Sequence, residues 1–161
     1  MSLKIRPPLL QLGGREAFAE YESEFALYYP NRLIHDVLGN LILFRPHMCR
    51  HVCFKPTNEN RYKQGLREIW VQERAEHIPW IRAALSDPAT EMFPNDQDPY
   101  NRVNYLLSVD ADTLNDLSRE FFCVVAEWVD DTTASFITGF PVDRNYWLKC
   151  RRVPGRIYPP L

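Results

Sequence analysis

The sequence lacks any run of apolar residues near the roughly 20 that a membrane-crossing helix needs, so it offers no membrane span. Met1 is not followed by the charged start, apolar centre and small-residue site of a secretory leader. There is no G-x-x-x-x-G-K-[ST] loop, no G-x-G-x-x-G, no G-x-S-x-G and no H-E-x-x-H. P-loop NTPase, dinucleotide-dependent oxidoreductase and serine hydrolase chemistry therefore have no carrier. Internal repeats and low-complexity tracts are also missing. With four cysteines (Cys49, Cys53, Cys123, Cys150) and no leader, the expectation is a cytoplasmic chain with reduced thiols.

What is present is enough for one folded domain. The chain has 161 residues, 45% of them hydrophobic and 13% aromatic, which is the composition of a globule that buries a core. Its 13 prolines gather near the ends and in 79–99, where they punctuate rather than disorder. The net charge of −2 is unevenly spread. Residues 1–44 carry −1, 45–82 carry +4, 83–143 carry −10 and 144–156 carry +5. If the two basic segments meet, they make a local cationic face that suits a phosphate-rich ligand.

Element signals follow in order. Pro7–Pro8 keeps the first dozen residues extended. Residues 15–29 read as a helix with Phe18, Tyr21, Phe25 and Tyr28 or Tyr29 along one side, a core stripe. Residues 33–44 and 51–54 are β-prone, with a break at Arg45–Pro46, so HVCFKP (51–56) reads as a short strand. A helix is expected over 61–77, with Pro79 either kinking it or beginning a second helix, and Asp87–Pro88 ending the helical region. Residues 89–101 read as a polar, proline-rich loop. Residues 103–109, 121–129 and 135–142 alternate as strands joined by short acidic links, which implies an antiparallel meander. The fold class expected is α+β, with helices packed on an antiparallel sheet of about four strands.

Four groups of residues carry candidate chemistry. His47, Cys49, His51 and Cys53 are zinc-ligand types, but alternate residues on a strand stand roughly 6–7 Å apart and cannot close a tetrahedron. No metal is expected, and the cysteines read as core. His51 with the following helix is the second group. A histidine supplies a general base or acid near neutrality. Arg67 and Arg74, two turns apart, form a phosphate clamp, against the plainer alternative of a solvated helix laced by pairs such as Glu73–His77. Third, Thr138 interrupts an apolar strand beside Gly139, which would admit a ligand or backbone closely. It is equally an ordinary strand former. Fourth, Arg144, Tyr146 and Trp147 lead a basic tail in which cations and aromatics alternate, a composition suited to single-stranded nucleic acid.

HVCFKP, QERAEHIPWI (72–81), the YLL and FCVVAEW strands and FITGFPV (136–142) stand in an order that resembles the barnase, EndoU, colicin and RelE-like (BECR) nuclease superfamily, in its phage-associated branch. The resemblance covers about 47–150. It implies a nuclease-like core over 46–150, an accessory N-terminal extended segment and helix over 1–45, and a basic tail over 151–161. It also implies metal-independent RNA cleavage by attack of a 2′-hydroxyl on the adjacent phosphate. His51 would be the acid or base, Arg74 a phosphate contact and Thr138 a hydroxyl in the site; from the basic and aromatic pattern beside it, Arg67, Arg144 and Tyr146 are expected to bind substrate. The partners expected are RNA and a protein inhibitor or other phage or host protein; no cofactor is expected. One departure is charge, since such ribonucleases are usually basic. The alternative is a non-catalytic nucleic-acid or protein binding module on the same fold.

Overall fold

The structure, a computed structural model, describes residues 6–30, 32–64, 67–110 and 119–160. A 3₁₀ turn (Arg15–Ala17) leads into α1 (Phe18–Tyr28), followed by two short strands, β1 (Ile34–His35) and β2 (Leu41–Leu43). Then come α2 (Met48–Cys53), β3 (Phe54–Lys55), α3 (Glu59–Lys63), β4 (Ile69–Trp70), α4 (Gln72–Glu76) and α5 (Ile78–Ser86). The chain ends in four strands, β5 (Glu91–Pro94), β6 (Arg102–Asp110), β7 (Arg119–Asp130) and β8 (Thr133–Val142), and a last helix, α6 (Arg144–Arg151).

The fold is α+β, and β5 to β8 form the antiparallel meander that alternation and short links dictate. The β7–β8 turn is closed by Asp130, whose Oδ1 accepts from the Thr132 backbone N–H at 2.8 Å and from its hydroxyl at 3.1 Å. The sheet is nonetheless larger and mixed. β2 joins β8 in parallel through Leu41–Leu43 and Thr133–Ser135, and β1 pairs antiparallel with β2, giving the order β1-β2-β8-β7-β6-β5.

Both faces of this sheet are covered, which is why its central strands read as nearly continuous apolar runs. On one face Tyr105, Leu107, Phe122, Val124 and Phe136 join α1 and α5 in the main core. On the other, Leu106, Cys123 and Val125 pack under α6, around Cys150, Tyr146 and Trp147. Asp143 caps α6 by accepting from the Tyr146 backbone N–H at 2.8 Å. The N-terminal region belongs to the main core, since Tyr21, Phe25 and Tyr29 are all fully buried at fourfold spacing.

The middle of the chain departs from the sequence reading. HVCFKP begins not as a strand but as the end of α2, where Cys49, Val52 and Cys53 turn inward at helical spacing. Only Phe54 and Lys55 are extended, paired with Ile69 and Trp70 in a small separate hairpin. The helix expected over 61–77 is broken into α3, β4 and α4, and of the two roles open to Pro79 the second holds, α5 being a separate helix. Trp70 explains the break. Its ring meets Phe18, Tyr21 and Phe54, with centroids 5.3–6.2 Å away, and that aromatic cluster outweighs local helix propensity. Pro79 sits in the first turn of α5, where its missing N–H costs nothing. Residues 91–94 of the expected loop form β5.

A bulge separates the halves of β8. Val125 pairs with Thr138 while Ala126 pairs with Phe136, so Ile137 is the extra residue and both it and Thr138 turn to the α6 face. The next residue, Gly139, is buried against α5 rather than open to a ligand. A Cβ there would lie 3.1 Å from Ile81, 3.3 Å from Val124 and 3.4 Å from Phe122. Gly139→Ala is expected to cost about 1–3 kcal/mol through overpacking, read as a lower urea midpoint at unchanged slope. An unaltered midpoint would show that α5 yields freely at this contact.

Candidate functional site

Beyond Ser135, β8 has no strand on its outer side among the described residues, and α2 and α4 pack there instead. Between these helices, the bulge of β8, the loop after β5 and the first turns of α6 lies a cleft of about 240 Å³. His51 and Lys55 enter it from α2 and β3, Arg67 and Arg74 from the segment around β4 and α4, and Arg102 from the start of β6. Thr138, Phe140 and Tyr146 complete the wall beside Asn95, Asp96 and Gln97. Five of the six residues that sequence reasoning singled out therefore share one cleft. Arg144 does not; it is exposed and borders a neighbouring concavity.

The cleft is strongly cationic. Lys55, Arg67, Arg74 and Arg102 face a single lining carboxylate, Asp96, which is engaged by Lys149 at 3.3 Å. Arg102 stands 3.9 Å from Asp98. Arg74 is held by its ring contact, with its guanidinium 4.9 Å from the Phe140 centroid, and no carboxylate or carbonyl among the described residues hydrogen-bonds or ion-pairs with it. Burial, and then the nearby Arg67 charge, lower its pKa. Of these cations, Arg74 is the one that meets a ring face in place of a carboxylate, and a guanidinium so placed can take a phosphate oxygen. The backbone of Arg67 is itself positioned, its carbonyl accepting from Arg50 at 3.1 Å while Arg50 lies over Phe54.

His51 is half-buried, and its Nδ1 edge is closed off with no hydrogen-bond partner among the described residues. Burial, then the charge of Arg67, then His47, hold its pKa below the ordinary histidine value of 6.5. The ring is accordingly neutral at pH 7 and able to accept a proton. Thr138 donates its hydroxyl hydrogen to the His51 backbone carbonyl at 3.2 Å. With that hydrogen committed, Thr138 offers the cleft only an acceptor oxygen, and it ties the bulged strand to the end of α2. Tyr146 is part-buried, and burial raises its phenol pKa, so it remains a hydrogen-bond donor at neutral pH.

The zinc-type residues of α2 divide between its two sides. Cys49 and Cys53 lie in the core with their sulfurs 3.8 Å apart, and the His47 and His51 rings are 6.1 Å apart. Among the described residues no group of three or more His, Cys, Asp or Glu side chains is placed to hold a metal. The second basic segment is also dispersed. Lys149 pairs with Asp96, and Arg151 with Glu91 at 2.9 Å, so the tail neutralises the acidic block rather than extending the cationic face.

Sequence reasoning missed Lys55 and Arg102. Arg102 carried a signal, being one of only two cations between 83 and 143, against twelve carboxylates. No protein-family model, curated protein or solved structure matches this chain.

The His51 titration tests these electrostatics without any assay of activity. Its imidazole resonances are expected to titrate below pH 6.5, and Arg67→Gln should raise the midpoint by removing a repulsion against the imidazolium. The unfolded chain then binds the proton first, so this group's contribution to stability is full above about pH 6.5 and falls as the pH drops below it. A midpoint unmoved by Arg67→Gln would place the guanidinium too far away to act on the ring.

Proposed function

We propose that the cleft binds a phosphodiester of RNA and cleaves it without a metal. His51 takes the proton of the ribose 2′-hydroxyl, and the 2′-oxygen bonds to the adjacent phosphorus. The bond to the 5′-oxygen breaks, that oxygen takes a proton from water, and a 2′,3′-cyclic phosphate remains. Arg74 and Arg67 hold the non-bridging oxygens, where negative charge accumulates in the transition state. Lys55 and Arg102 carry the flanking phosphate charge, and Tyr146 donates a hydrogen bond to substrate. Thr138 acts through its bond to the His51 carbonyl, fixing the base rather than touching the reacting atoms.

The observation that supports this reading is the meeting of a neutral histidine with Arg74, a guanidinium that has no anionic partner, in one cationic cleft. A general base must reach the proton it removes, and the developing charge must meet fixed cations; the lining supplies both.

Purified protein in EDTA is expected to cut single-stranded RNA to cyclic-phosphate ends and to leave DNA of the same sequence intact, because DNA lacks the nucleophile. His51→Ala should lower the rate by about 10²–10⁴-fold, the usual range for a general base. Its thermal midpoint should stay near that of the parent, since the ring is not part of the buried core. RNA bound but left whole by the parent protein would instead identify a binding module and reject catalysis.

A further inference from the structure

A second concavity, of about 700 Å³, adjoins the cationic cleft. The two share a partition built from consecutive residues, Arg74, Phe140 and Tyr146 lining the cationic cleft and their chain neighbours Glu73, Pro141 and Trp147 lining the second. Their characters differ sharply. The first is rich in cations. The second mixes charge of both signs (Glu73, Glu120 and Asp143 with Arg119 and Arg144) with aromatic walls (Trp80, Phe121 and Trp147), and contains His77, only 7% exposed.

His77 is unusually well fixed. Its Nδ1 lies 2.6 Å from the Glu73 backbone carbonyl, which can only accept, so the proton is on Nδ1 and Nε2 carries the lone pair. The ring lies parallel to Phe122, with centroids 5.8 Å apart, and edge-on to Trp80 at 4.7 Å. Nε2 accepts from no group among the described residues. An acceptor on a nine-tenths-buried ring held in one orientation, in a cleft with aromatic walls, matches a flat ring that presents an N–H. The mechanism above does not use it.

We propose that this second cleft is a nucleobase pocket, which receives the base of the nucleotide whose phosphate occupies the cationic cleft, with His77 Nε2 accepting a base N–H. The inference rests on the reading of the first cleft as a phosphodiester site. A polynucleotide alternates charged phosphate with flat, hydrogen-bonding rings, and the two adjoining clefts repeat that alternation. A base inside a pocket is unstacked from a complementary strand, so single strands are taken in preference to duplex. Arg144, exposed at the mouth, stands where the next phosphate emerges.

The test uses the full chain and two uncleavable 2′-O-methyl RNA tetramers, one complete and one with an abasic residue at an internal position, moved along the tetramer in turn. For one position, loss of the base is expected to weaken binding about tenfold, as measured by fluorescence anisotropy. His77→Leu should abolish that difference, and His77→Gln, which retains an acceptor, should keep most of it. Arg74→Gln should weaken both tetramers alike. Equal binding of complete and abasic tetramers at every position, or an undiminished difference in a folded His77→Leu protein, overturns the base pocket. These outcomes are independent of catalysis: a parent protein that discriminates bases but cuts no RNA rejects the cleavage reading and leaves the pocket standing.

Discussion

The constraint on which the rest depends is the incomplete pairing of β8. One side is laddered to β7 along its length, but among the described residues the other meets β2 only over Thr133–Ser135. An open strand edge exposes unpaired backbone groups and must be blunted or covered. Here both occur. The bulge at Ile137 ends regular pairing geometry, and α2 and α4 are drawn against the uncovered length. The Thr138 hydroxyl then donates to the His51 carbonyl, tying β8 to the end of α2 through a side chain rather than through the strand's own backbone groups. A helix end cannot follow a pleated edge closely, so the cleft is the gap left between two incompatible shapes.

Charge follows from that geometry. α2, the β3–β4 hairpin and α4 come from the first of the chain's two basic segments, +4 over 45–82, and all three border the gap. The acidic block lies mostly in the meander. There it meets the basic tail through Asp96–Lys149 and Glu91–Arg151, whereas among the described residues no ion pair engages Arg74 in the cleft. Arg74 over Phe140 illustrates the result. Its charge is stabilised by a ring face and by partial solvent contact, an arrangement weaker than a carboxylate and readily exchanged for a phosphate.

How far the sequence exposed this differs by region. The meander was legible because short β-prone apolar runs and the acidic turns that bound them are local signals, as in β6 to β8. The aromatic stripe of α1 was legible for the same reason at period 3.6. The middle was not. Val52, Cys53 and Phe54 look like a strand by side-chain type, and the i, i+3, i+4 spacing of Cys49, Val52 and Cys53 was the helical signal that type preference masked. The break between α3 and α4 depends on Trp70 meeting Phe18, about fifty residues earlier, which no local window contains. The parallel placement of β2 is also a long-range fact. It was invisible because three residues of apolar sequence, Leu41–Leu43, specify no partner.

Site residues were easier to find than the elements that carry them, and the reason is chemical. His51 and Arg74 stand out by type in any reading, whether their backbone is strand or helix. Their roles were harder, because a role depends on what each atom already binds. Thr138 shows this most clearly. As a hydroxyl in an apolar strand it reads as a ligand to phosphate, yet its hydrogen is given to a backbone carbonyl. His77 is the converse. As one half of a Glu73–His77 helix pair it reads as surface charge, yet its Nδ1 is bonded to the Glu73 main chain and the ring is buried among Trp80 and Phe122. In both cases a side-chain donor spent on a main-chain carbonyl changed the residue's chemistry. Thr138 loses a donor and becomes a support, and His77 keeps its one acceptor with every other degree of freedom fixed.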